Sequence, residues 1–481
     1  VVSAKEEAGA VEDEETLGHA GSTGSYTGLP APASPVPLCP HVSVNIDEEA
    51  HVTGDRFLVE GGHPLRGTVT PAGNKNEALP VLAACLLVAG EVVVDNVPRI
   101  RDVTALLEGL RHLGVRVDVD DHGTVRLDAS TLKGRDPDPA VMSQLRGSVL
   151  LAPGLLARTG QAVLPPPGGD RIGRRRLDTH LLALSELGAR VTSGPALHLT
   201  LEGRFRGTEV FLDEMSVTGT ENTVMAAVLA EGETVILNAA SEPHVQGLCR
   251  FLNTLGARIS GIGTNQLRIQ GVRELGPGRH RLGPDHIEIG SFVALAAMTG
   301  GDLRIRDVIP EDLRMIRLAY RRLGVETSLD GTTLVVPGPQ ELTVAADADG
   351  AISKVDDAPW PGFPADLTSL ALVLATQSRG TVLIHEKLFE SRLFFVDSLI
   401  AMGARIILCD PHRAVVVGPT ELRAAPMVSP DIRAGMALIG AALCARGTSA
   451  IMNAHQVDRG YERIDERLRS LGARITREPG A

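Results

Sequence analysis

Aromatic side chains make up only 3% of the 481 residues, with Trp360 the single tryptophan. The stacked aromatic platforms that hold single-stranded nucleic acid are therefore not expected. Lysine is nearly as scarce: Lys5, Lys75, Lys133, Lys354 and Lys387 are the only lysines among 47 basic residues, so a lysine inside a motif carries weight. The cysteines Cys39, Cys85, Cys249, Cys409 and Cys444 are scattered and form no CxxC pair. That excludes a disulfide framework or zinc ribbon and fits a reducing compartment. No apolar run approaches the ~20 residues that cross a bilayer, and the first residues are acidic where a secretory signal would be basic. A cytoplasmic protein without membrane contact is the expectation. Neither a GxGxxG turn nor a Walker A sequence occurs, which disfavours a dinucleotide-binding sheet.

What is present is ordinary globular material, 43% hydrophobic and 22% charged, at a length that suits two domains. The net charge of −12 is unevenly spread. Residues 1–54 hold nine acids against Lys5, which accounts for −8 of it. The remainder is close to balance, so a pocket for an anion is allowed and a nucleic-acid-binding face is disfavoured. Residues 1–54 mix Gly, Ser, Pro and acids without a period. They read as a disordered tail with too little apolar surface to offset ordering, a docking arm being the alternative.

From Arg56 onward the chain repeats itself. A helical stretch ends in Leu-Gly or Met-Gly, followed by Ala or Val and a short strand, at Gly114, Gly188, Gly256, Gly324, Gly403 and Gly472. The intervals run from 68 to 79 residues. A second glycine turn precedes each, at Gly90, Gly160, Gly232, Gly301, Gly380 and Gly447. Glycine takes the left-handed position that ends a helix, and a strand follows. Six such α/β units, too long for common solenoid repeats, suggest two domains of three units.

The polar residues gather where helices begin. Pro80 belongs in a first helical turn, which places Lys75 and Asn76 at or just before a helix start. Ser429 reads as a cap with Pro430 at the first helical position. Gln456 to Tyr461 precede an amphipathic helix, and Asp366 stands ahead of another. Asp366 and Asp431 can be simple caps, and Arg433 and Arg459 can be surface residues. Cations at helix starts oppose the dipole, however, unless an anion sits between them. Lys75, Arg433 and Arg459 share that pattern and hint at a phosphate or carboxylate site. The most distinctive segment is Leu164 to His180: prolines stiffen its entry, glycines free its middle, and it holds Asp170, Arg171, Arg174, Arg175, Arg176 and Asp178. It is either a solvated basic loop or a lid that closes arginines on phosphates.

These residues resemble the UDP-N-acetylglucosamine enolpyruvyl transferases (1-carboxyvinyltransferases) from about Arg56 to Ile475. The marks are Gly73 to Pro80 around Lys75-Asn76, Gln144-Leu-Arg146-Gly-Ser148, Pro167 to Gly173, Ser216 to Asn222, Phe363-Pro-Ala-Asp366, Phe389-Glu390-Ser-Arg392 and Asp458 to Arg463. The sister enzyme that makes 5-enolpyruvylshikimate 3-phosphate carries Lys-Ser and then an arginine near the first motif, unlike Lys75-Asn76. RNA 3′-phosphate cyclases share the architecture but bear none of the motifs. The resemblance implies two inverse α/β barrel domains with the active site in the cleft between them. One would be residues 75–283 with a mobile loop 164–180, the other 55–74 plus 284–481.

By the same resemblance Lys75, Arg175 and Arg459 clamp phosphoenolpyruvate, with Asn76, Arg146 and Arg433 nearby. Arg146 and Asn76, with Arg175, Arg176, Leu177, Asp178 and Thr179, and with Ser216 and Val217, hold the uridine nucleotide, on which Leu388 packs. Asp366 contacts the sugar hydroxyl and accepts its proton. No metal or organic cofactor is implied; the partners are phosphoenolpyruvate and a uridine nucleotide sugar. Asp170 stands where many members carry the cysteine alkylated by fosfomycin, and is expected to be the acid. Arg176 stands where proline is common, and Glu214 where a lysine can meet the diphosphate. These departures keep two other readings open: a paralogue acting on the 3′-hydroxyl of UMP, and a catalytically inactive nucleotide-binding protein.

Overall fold

A computed structural model describes residues 54–134, 136–170, 172–192, 194 and 196–480. The expected disordered tail lies outside the described residues except for Gly54, as does Arg171.

The repeats fold into six units of one design: an inner helix, a strand, an outer helix, and further strands. The inner helices are Lys75–Ala84, Ala152–Thr159, Val217–Ala227, His286–Met298, Thr368–Gln377 and Ile432–Cys444. They are apolar on nearly every side; every residue of His286–Met298 is buried, as expected of a helix enclosed by other elements. Among the described residues, five sheets of four strands and one of three stand around them. All six Leu-Gly or Met-Gly glycines have φ between 90° and 104°, the left-handed conformation that lets the chain leave the helix and enter a strand.

Two apolar cores result. One gathers residues between Ala78 and Leu282; the other joins Phe57, Val59, Leu65 and Val69 to residues between Ile287 and Ile475. The protein is thus a two-lobed mixed α/β fold in which helices fill the inside and sheets form the walls. Among the described residues no helix is long and apolar enough to cross a membrane.

The chain passes between the lobes twice, and the two crossings lie side by side. The N–H of Asn74 donates to Gly283 O at 2.8 Å and that of Asp285 to Ala72 O at 2.9 Å. At Gly73 a Cβ would stand 1.7 Å from the Asn96 carbonyl oxygen, so only glycine fits. Helices start immediately after each crossing. The side chain of Asn74 caps Lys75–Ala84 by accepting from the N–H groups of Asn76 (2.9 Å) and Glu77 (3.1 Å). Asp285 caps His286–Met298 through Ile287 and Glu288, and its other oxygen receives the Lys75 N–H at 3.4 Å. Lys75 is therefore fixed at the junction itself.

Three helix starts differ from expectation. Pro80 falls in the second turn rather than the first; the cap is Asn74, and the missing proline N–H leaves the Asn76 carbonyl without its helical donor. The helix Ile432–Cys444 is capped by Asp431, which receives Arg433 N at 2.8 Å and Ala434 N at 3.0 Å. Ser429 instead donates its hydroxyl to Asp431 O at 3.1 Å. Arg459 is in a turn after the short helix Ala454–Val457 and well ahead of Ile464–Ser470, so it owes its place to side-chain partners and not to a helix end.

Candidate active site

Lys75 is buried, and its Nζ lies 2.8 Å from Asp102 Oδ2. The other oxygen of Asp102 receives Arg459 Nε at 3.0 Å, and Arg459 Nη1 reaches Asp170 and Gln456 Oε1, the latter at 3.2 Å. One ion-pair chain thus runs Lys75–Asp102–Arg459–Asp170, with Asp170 delivered by the 164–180 loop. Burial alone would push Asp102 up, but Lys75 and Arg459 outweigh it and hold the carboxyl below its usual range.

A second cluster surrounds Asp366, which sits in the tight turn Ala365–Leu367 ahead of an inner helix. Its oxygens receive Arg392 Nη2 at 3.1 Å and Arg433 Nη2 at 2.8 Å. Burial opposes the charge, yet Arg433 and Arg392 hold Asp366 far below the ordinary carboxylate range. Arg433 also stands over the ring of the buried Tyr461, 5.3 Å from its centroid, an arrangement that favours a cation. Arg392 Nε and Arg433 Nη1 are buried donors without a hydrogen-bond partner among the described residues.

Arg175 joins the clusters. It is within electrostatic reach of Asp170 and Asp366, and of Arg392 and Arg459. Burial lowers its proton affinity, which the two carboxylates partly restore. The loop that carries it is held from beneath: Arg146 Nη2 donates to the carbonyls of Arg175 (2.6 Å) and Arg176 (3.0 Å). Burial, with Arg175 nearby, lowers Arg146 itself to about 10.

The loop tip docks on the other lobe. Ser391 N donates to Ile172 O at 3.1 Å, and Arg174 N to Glu390 Oε1 at 3.2 Å. A cavity of about 580 Å³ lies between them, lined by Arg146, Asp170, Arg174 and Arg175 from the loop side and by Glu390 and Ser391 opposite. Small molecules of several charges fit its size and lining.

Of the remaining residues expected at the site, Arg176, Leu177, Asp178 and Thr179 lie at the end of the loop. Arg176 Nε pairs with Asp178 at 2.9 Å, and its Nη2 is 3.6 Å from Asp213. Asp213 also accepts the Thr179 hydroxyl at 2.7 Å. Leu177 packs against the first core. Ser216 caps Val217–Ala227 by accepting from Gly219 N at 3.2 Å, with Val217 the first helical residue. Among the described residues no side-chain hydrogen bond ties Asn76, Ser216, Val217 or Leu388 to either charged cluster. Leu388 is 43% exposed, held by its own N–H on Asp357 at 3.2 Å.

Asp102, Asp213 and Arg392 were not singled out from sequence. Asp102 is an acid in a first helical turn, indistinguishable locally from a residue that offsets the helix dipole. Arg392 stood inside a recognised motif without a role.

A family model described as EPSP synthase (3-phosphoshikimate 1-carboxyvinyltransferase) matches residues 59–468. A protein of Treponema denticola named UDP-N-acetylglucosamine 1-carboxyvinyltransferase is 54% identical over 419 residues, 87% of this chain and 98% of its own length. One of the same name from Bradyrhizobium diazoefficiens is 54% identical, over 88% of this chain and 98% of its own. The solved structure of the enolpyruvyl transferase NikO from Streptomyces tendae superposes with TM-score 0.79 at 23% identity, covering 89% of this chain and all of that one. EPSP synthase from Acinetobacter baumannii does so with TM-score 0.70 at 18% identity over the same shares; these two likenesses concern the fold alone. With the fold, the match across most of its length and relatives at half identity in agreement, the chain belongs to the EPSP synthase family of 1-carboxyvinyl (enolpyruvyl) transferases.

Proposed function

We propose that the protein transfers the enolpyruvyl group of phosphoenolpyruvate to the 3-hydroxyl of UDP-N-acetylglucosamine with release of phosphate, the first committed step of peptidoglycan synthesis. The observation that carries this reading is that Lys75 and Arg459 share Asp102, that Arg459 meets Asp170, and that Arg175 lies within electrostatic reach of both Asp170 and Asp366. Relatives at half identity carry the name of that sugar nucleotide and do not favour UMP as acceptor or a catalytically inactive binder.

In this reading Lys75, Arg175 and Arg459 receive the donor, whose phosphate and carboxylate offer oxygens matched to guanidinium forks. They are already neutralised by Asp102 and Asp170, so the phosphate replaces Asp170 on Arg459. Released from Arg459, Asp170 takes up a proton from water and delivers it to C3 of phosphoenolpyruvate, and the sugar hydroxyl attacks the cationic C2. Asp366 accepts the hydroxyl proton. It is a weak base, kept ionised by Arg433 and Arg392, but a hydroxyl becomes strongly acidic as its oxygen bonds to a cationic carbon. Loss of a C3 proton then expels phosphate and restores the double bond. General acid–base help of this kind contributes ~10²–10⁴-fold.

The uridine nucleotide lies along Arg146, Arg176, Leu177, Asp178, Thr179, Ser216 and Val217, with Asn76 and Leu388 at its flanks. Residues 75–283 and residues 55–74 with 284–481 act as two domains that enclose both substrates, the 164–180 loop shutting out water. Phosphate release from phosphoenolpyruvate, measured with UDP-N-acetylglucosamine or UMP as acceptor, tests the reading. Turnover with the sugar nucleotide at least ~10²-fold above UMP is expected, a margin of about 2.7 kcal/mol in acceptor recognition; turnover with UMP alone would overturn it.

A further inference from the structure

Beyond the groups that meet the substrates, two fully buried carboxyl side chains, Asp357 and Glu386, lie behind Arg392. Asp357 is at the start of the segment that carries Asp366, and Glu386 at the start of the segment that carries Arg392. The two segments are stitched together here. Asp357 accepts the N–H groups of Lys387 and Leu388, and the N–H of Asp357 donates to His385 O at 3.3 Å. Glu386 Oε1 accepts the Phe389 N–H at 3.2 Å. Its Oε2 is 3.9 Å from Arg392 Nε, too far for a hydrogen bond.

Two adjacent carboxyl groups in a buried site cannot both ionise cheaply. Each oxygen of Asp357 accepts a backbone N–H. Glu386 faces it with one oxygen, Oε2, that has no hydrogen-bond partner among the described residues, and is the natural holder of the proton. The other groups facing Glu386 are Arg392, the Thr368 hydroxyl on the adjoining inner helix, and His412, whose Nδ1 meets the Glu386 carbonyl at 2.7 Å.

We propose that Glu386 is a positioning residue for the transfer reaction: as the neutral acid against Asp357, it leaves the Arg392 guanidinium to Asp366 and so fixes the group that accepts the acceptor's proton. Burial is the largest influence on it; Arg392 opposes and Asp357 reinforces, and the net effect pushes Glu386 up to about 9. Loss of that proton puts a carboxylate 3.9 Å from Arg392 Nε. The guanidinium is then drawn away from Asp366. The inference rests on the proposed function, since it takes Asp366 as the proton acceptor.

The test is kcat against pH from 6 to 10.5, with phosphoenolpyruvate and UDP-N-acetylglucosamine saturating, for wild type, E386Q, E386A and D357N. Wild-type kcat is expected to fall about tenfold per pH unit above the ionisation. E386Q, uncharged like the protonated acid, restores turnover lost in E386A and lacks that limb, keeping only the loss at about 10 and above to which Arg146 contributes. D357N removes the neighbouring negative charge, so Glu386 ionises more readily and the limb moves to lower pH. If E386Q fails to fold, D357N decides: a limb left in place or moved upward overturns the proposal, as does an E386Q profile identical to wild type. A wild-type enzyme without turnover would instead remove the functional reading beneath it.

Discussion

Asp170 differs from a cysteine at the same place in what it can touch and what can attack it. A carboxylate makes a charge-assisted contact with Arg459, so the loop tip is tied to that guanidinium. A carboxylate is also a poor nucleophile compared with a thiolate. Intact-mass measurement after incubation with fosfomycin and UDP-N-acetylglucosamine is expected to show no covalent adduct on the wild type and a single adduct on D170C. An adduct on the wild type that blocks turnover would contradict this role for Asp170. Lys75 and Arg459 stood out in the sequence as cations read at helix starts, a reading the structure keeps for Lys75 and not for Arg459, and Arg175 stood out only as one arginine of a basic loop. Asp102 and Arg392 did not, because their purpose lies in partners 27 and 26 residues away or more, and no local pattern records that.

The six units were legible as elements because left-handed glycines end the outer helices, a local requirement that sequence must state. Helix starts were harder. Ser429 and Asp431 are both good caps, and only the folded backbone decides that Asp431 faces the free N–H groups. The 164–180 loop is where an element's geometry bears most directly on turnover. Gly173 has φ of 129°, and a Cβ there would stand 2.3 Å from Glu390 Oε2 and 3.2 Å from the Glu390 N. G173A is therefore expected to keep the loop from docking. Its kcat/KM for phosphoenolpyruvate should fall at least ~10-fold, corresponding to about 1.4 kcal/mol, while the melting temperature stays within a few degrees of wild type because neither core is touched. Unchanged kinetics would show that docking on Glu390 is not needed for catalysis.

For the molecule as a whole, the site lies where the chain crosses between lobes, so its charges also enter the stability of the fold. Glu386 has a proton affinity raised from the ordinary 4.5 to about 9. The folded state therefore binds more protons than the unfolded state between those values, and the wild type loses stability as pH rises through that window. E386Q does not titrate. Its stability relative to wild type should rise with pH across the window by up to ~1.4 kcal/mol per unit, read from urea unfolding at pH 6 and pH 8.5. A difference independent of pH would place the proton elsewhere.

Addition of the acceptor across the donor's double bond, followed by elimination of phosphate, leaves an isotopic trace. Turnover of phosphoenolpyruvate and UDP-N-acetylglucosamine in deuterium oxide, with the sugar nucleotide product analysed by mass spectrometry and proton NMR, reads it directly. The expected product is the sugar nucleotide heavier by one enolpyruvyl group, carrying deuterium on its vinyl carbon because C3 passes through a methyl group. Phosphate released without gain of mass on the sugar, or a product whose vinyl group holds no deuterium, would contradict enolpyruvyl transfer by this site.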